Sequence, residues 1–75
     1  MYRDIAKAFE NRYGVNVFIH QEENTGNIIL LMSLDGVKNK HGRKVIEAWE
    51  VDQSYLRYQC IADRLLELYN ELVHE

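Results

Sequence analysis

The chain begins with apolar residues at helical spacing: Tyr2, Ile5, Ala6, Phe9 and Tyr13. Arg3, Asp4, Lys7, Glu10 and Asn11 fill the other side, and Gly14 stands where a left-handed cap would close the helix. This predicts a first helix over residues 2–13. The period then changes. Val15, Val17 and Ile19 alternate with Asn16, Phe18 and His20, which predicts a strand over 15–21. The polar stretch from Glu22 to Gly26 reads as a turn. Ile28 to Leu34 is almost wholly apolar, short and bounded by turn signals, as suits the central strand of a sheet, over 27–34. Asp35-Gly36 marks the next turn, and a basic loop with a second glycine, Gly42, leads to a third strand over 44–51.

Beyond a capping residue at Asp52 or Ser54, Tyr55, Tyr58, Ile61, Ala62, Leu65, Leu66, Leu68, Tyr69, Leu72 and Val73 hold helical spacing. They predict a last helix over 53–74. The expected fold is therefore one α+β domain spanning residues 1–75. Its order is αβββα: a three-stranded antiparallel meander with both helices on one face.

Two helices leave the second sheet face open. In strand one, Val15, Val17 and Ile19 belong under the helices, which sends Phe18 and His20 outward. In strand three, Ile46 and Ala48 oppose Val45, Glu47, Trp49 and Val51. Turning the second set inward would bury Glu47 mid-strand, and an unpaired buried carboxylate costs several kcal/mol. Glu47 and Trp49 are therefore expected on the open face. Strand two adds Ile29 and Leu31, or their neighbours if the register shifts by one. The expected partner surface is Phe18, His20, Leu31, Glu47 and Trp49, since exposed apolar patches mark interaction sites. The competing reading reverses the parity and puts Trp49 in the core.

Length and composition fit this picture. The chain has 75 residues, 47% of them apolar and 28% charged, which suits one small globular domain rather than a disordered chain. One cysteine, Cys60, excludes an intramolecular disulfide. The charged N-terminus is unlike a signal peptide, and the longest apolar run, Ile28 to Met32, is too short to span a membrane. A cytoplasmic location with no membrane association is the expectation.

The net charge of −3 is unevenly spread. Lys38, Lys40, Arg43 and Lys44 give residues 37–44 a charge of +4, leaving −7 elsewhere. With His41, these cations could contact phosphates, or form a solvated hairpin tip. The acidic balance makes nucleic acid the weaker partner. On the last helix, Asp63, Glu67 and Glu71 recur four apart, a mutually repelling row that a basic partner could engage. That helix also has a wide apolar face, Tyr58/Ile61/Leu65/Leu68/Leu72 beside Tyr55/Ala62/Leu66/Tyr69/Val73. Either the rest of the domain absorbs it, or the surplus pairs two copies into a structural homodimer.

No catalytic set assembles. His20, His41 and His74 are far apart, nothing has metal-ligand spacing, and there is no glycine-rich phosphate loop. Neither an enzyme, a metal nor a cofactor is expected.

The element order, with Ile61-Ala62-Asp63-Arg64-Leu65-Leu66, resembles the double-stranded RNA-binding domain. That resemblance implies nucleic-acid binding, here through the basic loop 38–44. The family's lysine cluster at the start of its last helix is replaced by Asp52-Gln53-Ser54-Tyr55-Leu56-Arg57, which removes the main phosphate clamp. In layout, with a short first helix, a meander turning at Asp35-Gly36 and an acidic last helix, the chain also resembles small acidic proteins of bacteriophages and mobile elements, including some anti-CRISPR inhibitors. This second resemblance implies a stoichiometric inhibitor of a host nucleic-acid-processing factor, acting by protein–protein contact.

Overall fold

Helical periodicity at the N-terminus produces a helix that lays its apolar stripe on the first strand. The computed structural model describes residues 2–34, 40–52 and 57–74, and in it α1 spans Tyr2–Tyr13. Ala6 is buried, and Tyr2, Ile5, Phe9 and Tyr13 pack against the core. Gly14 closes the helix at φ +67°, its N–H donating to the Glu10 carbonyl at 2.8 Å. The left-handed conformation costs glycine little, because it has no Cβ.

Three strands follow, β1 (Val15–Gln21), β2 (Ile28–Leu34) and β3 (His41–Ile46), antiparallel and in the order β1-β2-β3. The register sets Val17 opposite Met32 and Met32 opposite Gly42. Side chains alternate across the sheet, so Val15, Val17, Ile19, Ile28, Leu30, Met32 and Ile46 share the face that carries the core. A short helix, α2 (Ala48–Asp52), comes next, then α3 (Arg57–His74). Ile61, Leu65, Leu68 and Leu72 of α3 are buried on that same face, where α3 packs against β3 and β2 while α1 packs against β1. Phe9, Tyr13 and Tyr69 join the two long helices, with ring centroids 4.4 to 6.2 Å apart.

The α+β class, the αβββα order and the meander are as the sequence predicts, with α2 as an added turn of helix. The third strand is not where the pattern puts it. It runs over His41–Ile46 rather than 44–51, and residues 48–52 are helical. The cause is capping of the helix start. The Ala48 N–H donates to Asn27 Oδ1 at 2.9 Å, and the Glu47 N–H donates to Glu50 Oε2 at 3.1 Å. These bonds take up donors at the helix start, in the manner of a capping box. Asp52, predicted as a cap, is the last described residue of α2. The predicted cap at Ser54, the helical residues 53–56, the Asp35-Gly36 turn and Lys38 lie outside the described residues.

The last helix's double stripe is divided by this packing. Ile61, Leu65, Leu68 and Leu72 are core, and Tyr69 and Ala62 are half-buried, whereas Tyr58, Leu66 and Val73 are exposed.

Candidate functional site

With α1 and α3 on one face, the outward positions of the other form three cross-strand rows: Asn16/Ser33/His41, Phe18/Leu31/Arg43 and His20/Ile29/Val45. Phe18 is 57% exposed and Leu31, directly opposite, is 39% exposed. Ile29 and Val45 are half-buried beside them. The Phe18 and His20 rings lie 6.1 Å apart and nearly parallel, at 17°. The result is an apolar band edged by amide, hydroxyl and imidazole groups. Arg43 is the one guanidinium or ammonium group among these positions, and none of them is a carboxylate.

Phe18 and His20 thus occupy the face the alternation assigns them, and the register puts Leu31, rather than its neighbours, beside Phe18. Glu47 and Trp49 do not. Both leave the sheet with the start of α2: Glu47 precedes the helix, and Trp49 lies in its first turn. The indole is 58% exposed, not buried beneath α3, and its N–H donates to the Glu47 carboxylate. It therefore stands in solvent, but on α2 at the end of the sheet rather than within the face.

The basic cluster is split. Arg43 projects on the open face. Lys44, one residue later, projects to the other side and reaches Glu71 on α3, Nζ to Oε2 at 2.8 Å. Lys40 is half-buried just before β3. Residues 41–44, read from sequence as part of a loop, are strand. Strand alternation sends Arg43 and Lys44 to opposite faces, so these two do not form one phosphate-binding tip.

The acidic row on α3 is also less bare than its spacing suggests. Asp63 accepts from Gln59 Nε2 at 2.8 Å, Glu67 lies 3.5 Å from Arg64 Nε, and Glu71 holds Lys44. Each carboxylate has a partner within the chain.

The shortest ion pair among the described residues ties α2 to α3. Arg64 Nη2 donates to Glu50 Oε1 at 2.7 Å, while the other Glu50 oxygen accepts the Glu47 N–H. The Arg64 hydrogen bond, then the Glu47 N–H, hold the Glu50 carboxyl below its ordinary value, and Glu50 in turn raises Arg64. A lowered carboxylate stabilises the fold above its unfolded value, about 4.3, and that contribution drains away as pH falls through the folded value. Glu50→Gln is therefore expected to lose less stability than the parent between neutral pH and the acid side of that value. Paired urea titrations at the two pH values check this, and equal losses would count against it.

Among the described residues no cluster of His, Cys, Asp or Glu is arranged to hold a metal ion, and no helix is long and apolar enough to cross a membrane. Sequence reasoning missed Arg43 as a face residue. The signal was present, because His41/Arg43/Val45 alternates with Gly42/Lys44/Ile46, but the run of charge read as loop. Compared with known protein families, curated proteins and solved structures, the chain matches none.

Proposed function

We propose that this chain is a non-enzymatic protein-binding module that docks its partner on the open face of the sheet. One observation carries the reading: Phe18 and Leu31 sit side by side and exposed on the face that neither long helix covers. Holding a phenylalanine in water forgoes about 1.5–3 kcal/mol of burial that a partner could supply. Among the described residues Arg43 is the one cation on this face, which suits a protein surface better than a phosphate backbone, bound through several. Within this class, the finer reading is a stoichiometric inhibitor of a host nucleic-acid-processing factor. The acidic balance and the layout shared with small phage and mobile-element proteins favour it. The sheet face is the better candidate than the acidic row of α3, whose carboxylates are already engaged.

The test is affinity capture from bacterial lysate with the wild type, Phe18→Ser, Leu31→Ser and Glu67→Lys. The partner held by the wild type should be recovered roughly tenfold less with either sheet variant, as the burial energy implies. Glu67→Lys should retain it, and circular dichroism should be unchanged throughout. Full recovery with both sheet variants would end the reading.

A further inference from the structure

The sheet has two edges, and they differ. Leu34 N–H donates to the Lys40 carbonyl at 2.8 Å across β2 and β3. Hydrogen-bonded pairs recur at every second residue of an antiparallel ladder. The register then turns the backbone groups of Gly42, Lys44 and Ile46 toward β2, and those of His41, Arg43 and Val45 out of the sheet. On β1 the outward groups belong to Val15, Val17 and Ile19. There the Val17 N–H donates to Glu10 Oε2 of α1 at 2.8 Å. A side chain placed over an edge in this way obstructs further strand pairing. Among the described residues no side chain does the same for His41, Arg43 or Val45.

We infer that the outer edge of β3 accepts an extended acidic segment of the protein partner as a fourth strand. The inference rests on the open face being the docking surface, and it names what docks there. His41, Arg43 and Val45 supply both the unpaired backbone groups and the side chains that border Phe18 and Leu31, so an added strand would widen the same face. Charge selects the occupant. β3 carries His41, Arg43 and Lys44 and no acid. Lys44 is held by Glu71, whereas Arg43 is exposed and has no carboxylate beside it on the face. Opposite charges across a strand pair are favourable and like charges unfavourable. A second copy pairing β3 with β3 antiparallel through these outward groups would set Arg43 against Arg43. Only a peptide offers the alternating donors and acceptors the edge requires. A carboxylate opposite Arg43 and an apolar residue opposite Val45 complete the match.

The probe is the capped peptide Ser-Val-Thr-Glu-Thr-Glu-Ser, whose Val and first Glu fall opposite Val45 and Arg43 in an antiparallel pairing, with Ser-Val-Thr-Lys-Thr-Lys-Ser as its counterpart, followed by heteronuclear NMR of the whole chain. Millimolar acidic peptide should shift the amides of His41, Arg43 and Val45 and slow their exchange, and the lysine peptide should not. Val45→Pro removes only an outward N–H, which an edge strand tolerates, and should abolish the response. Arg43→Glu should reverse the preference between the peptides, and it keeps the test decisive if the proline variant fails to fold. No response, equal responses, or shifts confined to Val15, Val17 and Ile19 would overturn the inference. So would an oligothymidylate that shifts the β3 amides when neither peptide does. The two readings separate in lysate capture: partner loss with Phe18→Ser but not with Val45→Pro or Arg43→Glu keeps the face and removes the edge.

Discussion

Leu65→Ala is expected to leave most of the protein unfolded at room temperature. Leu65 is 0% exposed and central in the α3 stripe that runs from Ile61 to Leu72. It shares its cluster with Ile28, Leu30 and Ile46, equally shielded from water. Truncating a buried leucine removes its transfer energy and leaves a cavity, at about 2–5 kcal/mol. A core this small rarely supplies more than about 3–5 kcal/mol in total. The loss is therefore of the same size as the stability. Leu66→Ala, one residue along and 39% exposed, is the control and should cost well under about 1 kcal/mol. Urea unfolding followed by circular dichroism separates the two. A Leu65→Ala protein that keeps all but about 1 kcal/mol of its stability would mean that α3 does not anchor the sheet.

The same contrast between adjacent residues explains what could be read from the sequence. In α1, β1 and β2 the local pattern and the tertiary environment agree. Tyr2–Tyr13 repeats at helical spacing up to a glycine, and Val15/Val17/Ile19 alternates for long enough to fix parity. Phe18 and His20 could be placed outward for that reason, whereas the unbroken apolar run of β2 left Leu31 open to a shift of one residue. The stretch from Glu47 to Val51 is too short for pattern to decide, because its apolar letters satisfy a strand period as well as a helical one. What decides it is distant in sequence: Asn27, which accepts the Ala48 N–H, and Arg64, which holds Glu50. Trp49 went with that choice, correctly placed in solvent but on the wrong element. Lys44 and Glu71 likewise read as unrelated charges, in a loop and on a helix. Only the packing of α3 along β3 makes them a pair. Contacts of this kind are properties of the fold, and no window of a dozen residues contains them.

Gly42 is where that packing is tightest, and Gly42→Val should be the most damaging change in β3. A Cβ at this position would sit 2.9 Å from Leu68 Cδ1 and 3.2 Å from Leu72 Cδ2. Leucine termini can rotate, but both side chains are almost wholly buried, so any rotation displaces other core atoms. Overpacking of this sort costs about 1–3 kcal/mol. Removing a strand glycine returns roughly 0.5–1 kcal/mol of backbone entropy, which falls short of the clash. Net destabilisation of about 1–2 kcal/mol is the expected result, read as a lower urea midpoint. The cause can be isolated with a cycle. Gly42→Ala should cost less in a Leu68→Ala background than alone, by about 0.5–1 kcal/mol, because the shortened side chain vacates the space the new methyl needs. Additive losses would place the strain elsewhere. A neutral or stabilising Gly42→Val would mean that α3 can lift from β3, and with it that the Lys44–Glu71 contact at the sheet edge is incidental to how the helix sits.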